Sequence, residues 1–179
     1  MEQKKVQEIV IDHTNFIFKT NFAGDPERNG KFGGTDRRCN IVIPTQELAN
    51  EIAAIGLEVK QYVSVDQDTG ETKTTLFLPA KLAYRNKDGS LKYKQPSVHV
   101  VYNNGKPQAK DEDTVGSIDK ERVLDVRVTV RPWYYDVTGK WYAYINVLYV
   151  VCDANEDPFA ADYYGSNIAP DEEYLEEED

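Results

Sequence analysis

Between Asp125 and Arg131 apolar and polar residues alternate without a break. Val126, Val128 and Val130 are separated by Arg127, Thr129 and Arg131, a period of two that sets one face of a strand against a core and the other against solvent. After Asp136 to Lys140, where Gly139 can take a positive φ, Trp141 to Val151 returns as a second strand, so the segment reads as a long antiparallel hairpin. Shorter strand-like runs precede it: Val6 to Ile11, Phe16 to Phe22, Asn40 to Ile43, Leu57 to Val65, Thr75 to Tyr84 and Val98 to Tyr102. One stretch has a helical period. In Gln46 to Ile55, Leu48, Ile52 and Ile55 form an apolar stripe, Thr45 stands at the N-cap and Gly56 at the stop.

The breaks are equally legible. Gly24 to Arg38, rich in glycine and charge, predicts a mobile loop, Asp66 to Gly70 a hairpin turn, and Arg85 to Ser90 a polar excursion. Asn103 to Asp113 reads as a polar loop, with Ser117 as the cap of a short helical turn before Arg122. Six to eight strands against one helix make a mainly β fold, and the expectation is a small OB-like β-barrel with one α-helix.

Charge divides the chain in two. Of its 31 acidic side chains, eleven lie between Asp153 and Asp179, a stretch with no Lys or Arg; residues 1–152 keep 20 acidic and 21 basic groups. The expected organisation is therefore a balanced domain over 1–152 and a flexible, disordered acidic tail over 153–179. The tail also carries Phe159, Tyr163, Tyr164, Tyr174 and Leu175, apolar anchors that a purely solubilising segment does not need. Asp171, Glu172, Glu173, Tyr174, Leu175, Glu176, Glu177, Glu178 and Asp179 are accordingly read as a partner-binding end.

Nothing in the chain assembles a catalytic constellation. His13 and His99 are far apart, no nucleophile elbow or Walker loop occurs, and Asp66 to Gly70 lacks the ligand pattern of a calcium loop. Cys39 and Cys152 have no companions for a zinc site and are expected as buried free thiols. No enzyme, metal or cofactor is expected. No apolar leader follows Met1 and no run is long enough to span a bilayer, which predicts a soluble intracellular protein.

The body does interleave cations with aromatic rings. Arg131 precedes Trp133 and Tyr135; Lys140 precedes Trp141, Tyr142 and Tyr144. Lys81, Arg85, Lys87, Lys92 and Lys94 surround Tyr84 and Tyr93, and Arg28, Lys31, Arg37 and Arg38 surround Phe32. Single-stranded nucleic acid needs this mixture: cations for phosphates, and rings on which bases stack at about 1–3 kcal/mol each whatever the sequence. The candidate contacts are Arg37, Arg38, Lys81, Tyr84, Arg85, Lys92, Tyr93, Lys94, Arg131, Trp133, Tyr135, Lys140, Trp141 and Tyr142. Trp133, Tyr135, Trp141, Tyr142, Arg131, Lys81 and Arg85 are expected to contribute most.

Several segments together resemble the single-stranded DNA-binding proteins of bacteriophages. They are Asn21-Phe22-Ala23-Gly24, the closing Arg38-Cys39-Asn40-Ile41-Val42-Ile43, and the helix ending at Gly56 ahead of Glu58-Val59-Lys60. Asp113 to Asp119 and the hairpin with Arg131-Pro132-Trp133-Tyr134-Tyr135-Asp136 and Ala143 to Tyr149 complete the likeness, which runs from about Phe16 to Val151. The chain departs from single-strand binders with an aromatic terminus by ending in Glu178-Asp179. The resemblance implies an OB-type barrel in the host cytoplasm that coats DNA in phage replication or recombination, with replication or recombination proteins as partners through the tail. Two other readings stand beside it: an acidic DNA-mimic inhibitor, and a structural phage assembly protein.

Overall fold

The computed structural model describes residues 8–32, 34–102 and 105–153. Its first two strands, β1 (Ile9–Thr14) and β2 (Phe16–Asn21), are separated only by Asn15 and act as one bent strand. There follow β3 (Arg37–Val42), α1 (Gln46–Ile55), β4 (Lys60–Val65), β5 (Thr72–Leu82), β6 (Ser97–Tyr102), β7 (Gln108–Lys110), β8 (Val123–Tyr135) and β9 (Lys140–Cys152).

Hydrogen bonding runs β1-β8-β9-β5-β3-β2, with β4 added to β5, and β6 to β9 and β7. Because β1 and β2 are continuous through Asn15, the two ends of that order are joined and the sheet closes on itself. Asn15 makes the corner. Its carbonyl accepts from the Val42 amide of β3 at 3.0 Å, and its side-chain amide donates to the Val123 carbonyl of β8 at 3.1 Å. With β1 and β2 counted once, five strands form the barrel, β5 and β9 meeting in parallel at Lys81 and Tyr144. That is the pairing order of an OB barrel, a five-stranded and partly open Greek-key barrel.

Alternation fills the interior. Ile11, Ile41, Leu78, Val126, Val128, Leu148 and Val150 are almost wholly buried, each contributing about 1.5–3 kcal/mol by leaving water. Ala49 and Ile52 of α1 join this core. Thr45 accepts from the Leu48 amide at 3.2 Å, and Gly56 ends the helix at φ 116°. A Cβ at Gly56 would stand 2.4 Å from the Trp141 ring, so glycine serves both the left-handed turn and the close approach of the hairpin.

The register of β9 contains one decisive irregularity. Val130 pairs with Ile145 but Thr129 with Val147, leaving Asn146 as a bulge. Before it the even-numbered Tyr142 and Tyr144 point outward; beyond it the outward positions are odd, Val147, Tyr149 and Val151.

Some expectations change. β3 begins at Arg37, not Asn40, because Arg37 and Arg38 pair with Leu82 and Lys81. Three residues of the polar segment, Gln108–Lys110, form β7 against β6. In the glycine-rich stretch Pro26–Phe32 winds as a 3-10 helix, and Asn29 ties it to the carbonyls of Gly34 and Asp36. Ser117 caps nothing: its hydroxyl donates to the Thr114 carbonyl, while Asp111 receives the Asp113 and Thr114 amides. In the Asp66 turn the carboxylate accepts from its own backbone at Asp68. Cys39 and Cys152 are buried thiols, and burial pushes the Cys152 thiol up to about 12. No helix among the described residues is long and apolar enough to cross a membrane. The sequence-predicted tail after Asp153, with Asp171 to Asp179, lies outside the described residues.

Candidate nucleic-acid interface

The outer faces of β3, β5, β9 and β8 meet in one transverse rung. Arg38 pairs with Lys81, Lys81 with Tyr144, and Tyr144 with Arg131. Inward neighbours such as Cys39, Ala80, Leu82, Ala143 and Ile145 belong to the core, so alternation forces these four side chains onto the opposite face. Three cations and a ring, distant in sequence, thus cross four strands in a line. The next positions add Trp133 opposite Tyr142 and Tyr135 opposite Lys140.

Two hollows flank the rung. One, of about 400 Å³, is lined by Arg38, Lys60, Lys81, Lys140, Trp141 and Tyr142. The other, of about 460 Å³, lies beneath the segment between β5 and β6 and is lined by Arg85, Lys87, Lys92, Tyr93, Arg131 and Trp133, among others. The sheet therefore joins the second basic cluster of the sequence to the hairpin aromatics. In OB barrels the face of the second and third strands is a recurrent oligonucleotide surface; here those strands are β3 and β5.

Lysines lie against the tyrosines of this floor. The Lys87 ammonium is 3.8 Å from the Tyr135 ring centre and also hydrogen-bonds its hydroxyl. Lys81 stands 5.2 Å from the Tyr142 ring and Lys92 5.1 Å from that of Tyr144. Burial, with Asp36 nearby, raises the Tyr144 phenol above its ordinary range, so it stays neutral as a stacking surface. Carboxylates sit beside the cations: Glu8 3.1 Å from Arg131 and Asp36 3.4 Å from Lys81. Exposed pairs of this kind are worth about 0–1 kcal/mol, little enough for phosphates to replace them.

The predicted residues divide accordingly. Arg38, Lys81, Arg131, Trp133, Tyr135, Lys140 and Tyr142 lie on or beside the rung, and Trp133 keeps 55% of its surface exposed. Lys92, Tyr93 and Lys94 sit on the overlying segment, Tyr93 fully exposed. Tyr84 is corrected: at 3% exposure it belongs to the core, its phenol is pushed up to about 12 by burial, and it has no face for a base. Its parity explains this, since Ala80, Leu82 and Tyr84 are successive inward positions.

Arg37 also serves the scaffold, donating to the Phe22 carbonyl and lying 5.6 Å from the Tyr84 ring. Arg85 is held by Glu112 through two bonds of 2.8 and 2.9 Å and by the Gly89 carbonyl at 2.8 Å, so it anchors the segment above the groove. Glu112 in turn is held below the usual carboxylate range by that guanidinium. Trp141 has the opposite parity to Tyr142 and packs at Gly56 while its edge lines the smaller hollow. Arg28 donates to the Thr20 carbonyl and stands 3.8 Å from the buried Asp119. Tyr144 and Lys87, within the sequence clusters but not among the candidate contacts, lie on the rung and against Tyr135 respectively. The shared parity of Tyr142 and Tyr144 was the available signal.

The family model described as a putative phage ssDNA-binding domain matches residues 1–168. Among solved structures, the chain is similar to gp2.5, a single-stranded DNA-binding protein encoded by bacteriophage T7. That likeness has 14% identity and a TM-score of 0.41, and covers 92% of this chain and 96% of that one. A superposition so loose adds nothing to the pairing order above. No curated protein matches the chain in sequence. With the family match spanning nearly its whole length, the chain belongs to the phage ssDNA-binding domain family.

Proposed function

We propose that the protein binds single-stranded DNA along the outer face of β3, β5, β9 and β8, with little sequence preference, and so coats and protects DNA during phage replication or recombination in the host cytoplasm. The observation that carries this reading is the rung Arg38, Lys81, Tyr144, Arg131. Cations at its ends and middle suit phosphates, while Tyr144, Tyr142 and Trp133 offer rings to bases. The role is non-enzymatic: it needs charge and surface rather than bond making.

The 1–152 domain and the 153–179 tail are distinct parts of this function. A tethered polyanion competes with DNA for a cationic groove at high effective concentration, and salt weakens that competition. Displaced by DNA, the tail recruits replication or recombination proteins through Tyr174, Leu175 and the surrounding carboxylates from Asp171 to Asp179. Fluorescence anisotropy with single- and double-stranded oligonucleotides, on the full chain and on a chain ending at Asp153, tests both parts. Single-strand binding in both forms, tighter without the tail, is expected. Binding by neither form would replace this reading with the DNA-mimic or assembly one, and unchanged affinity without the tail would remove its regulatory role.

A further inference from the structure

On the same outer face, beyond the Asn146 bulge, a second rung repeats the chemistry of the first. Tyr149 of β9 pairs with Arg127 of β8 on one side and with His99 of β6 on the other. The His99 and Tyr149 rings stack at 4.8 Å with an interplanar angle of 13°. Tyr149 nevertheless keeps 38% of its surface exposed. The bulge is what puts this ring here. Tyr149 and Tyr144 have opposite parity in sequence, and an unbroken β9 would send one of them into the barrel.

Arg127 is equally available. Its side chain is 64% exposed, and its ion pair is a long 3.8 Å contact from Nε to Asp12. The His13 ring stands 3.3 Å from Asp125, and the Asp125 and Asp12 carboxylates beside the one Arg127 guanidinium make this rung less positive than the first. Between the rungs lie the small, uncharged Thr129, Val147 and Ser97, with the Glu8 carboxylate at their edge, engaged by Arg131 at 3.1 Å and by the Asn146 side-chain amide at 2.6 Å. Arg131 and Arg127 are four residues apart on β8, about 13 Å at the usual strand rise.

We propose that Arg127, Tyr149 and His99 form a second subsite for single-stranded nucleic acid, where a strand leaving the first groove stacks one base on the Tyr149–His99 pair and sets a phosphate on Arg127. The inference rests on the proposed single-strand binding and extends its footprint along β8 and β9. Its signature is a dependence on oligonucleotide length. A short strand is held by the groove alone, and only a longer one reaches Tyr149.

Anisotropy titrations with labelled oligothymidylates of about 6 and about 14 nucleotides, within the footprint range of OB barrels, separate the cases. Tyr149→Ala should weaken the longer strand about five-fold or more, the loss of one stacked base, and leave the shorter one unchanged. Tyr149→Phe should keep wild-type affinity for both. Arg127→Gln should lower the salt slope for the longer strand alone by about 0.7, one phosphate's share. No change on the longer strand, or an equal loss on both in variants with wild-type melting curves, would overturn the second subsite while leaving the groove intact. Wild-type protein that binds neither strand would overturn both.

Discussion

Trp133 and Trp141 stand on opposite faces of one hairpin, and replacing each with alanine should separate binding from stability. Trp133 is 55% exposed, lines the larger hollow and is backed across the strands by Tyr142. Its removal deletes one base-stacking surface, about 1–3 kcal/mol or roughly 5- to 150-fold in Kd. What the fold loses is one cross-strand pair, about 1 kcal/mol or less. Trp141 is half-buried, packs at Gly56 and touches Tyr134 at 5.2 Å between ring centres. Removing a fully buried Trp costs about 3–5 kcal/mol, so a half-buried one should cost about 2 kcal/mol. Urea unfolding followed by circular dichroism gives the stability change, and anisotropy with a single-stranded oligonucleotide gives Kd. Trp133→Ala should move Kd with little change in the urea midpoint, and Trp141→Ala should move the midpoint first. Normal binding by Trp133→Ala, or an equal loss of stability in the two variants, would rule out this division of roles.

Asp119 accepts from the Thr20 hydroxyl at 2.6 Å and from the Phe22 and Ala23 amides at 2.8 and 2.9 Å. Asp119→Ala leaves these buried donors unpaired and should destabilise the protein by about 3 kcal/mol in urea titrations; less than about 1 kcal/mol would mean that water replaces the carboxylate. Lys81→Gln should reduce the slope of log Kd against log salt by about 0.7 if its ammonium leaves Tyr142 for a phosphate, and an unchanged slope would show that it stays on the ring. Cys152 rises from 9.0 to about 12 on folding and Tyr84 from 10.0 to about 12. Above pH 9 the unfolded chain sheds protons that the folded chain keeps, so stability is full below pH 9 and falls as pH rises towards 12. Urea midpoints measured across that range should decline, less steeply in Cys152→Ala, and a flat profile would contradict the burial argument.

The sequence alone determined what local pattern can encode. Alternation marked β8, an apolar run after the Gly139 turn marked β9, and the Thr45 and Gly56 signals bounded α1. It also determined which chemistry was present, since cations and rings cluster visibly around Lys81 to Lys94 and Arg131 to Tyr144. Tertiary structure decided which of them share a face. Tyr84 sits amid lysines in sequence, but its parity with Leu82 sends it into the core, and Arg85 is taken by Glu112 from a loop 27 residues away. Arg38, Lys81 and Tyr144 align only through non-local pairings, while Tyr144 meets Arg131 across the local hairpin. The Asn146 bulge, which turns Tyr149 outward, leaves no mark in the alternation because Val147 is apolar yet faces out. Local propensity sets strands and turns within a few residues of chain. The line of cations and rings depends on register between strands more than forty residues apart, which only closure of the barrel imposes.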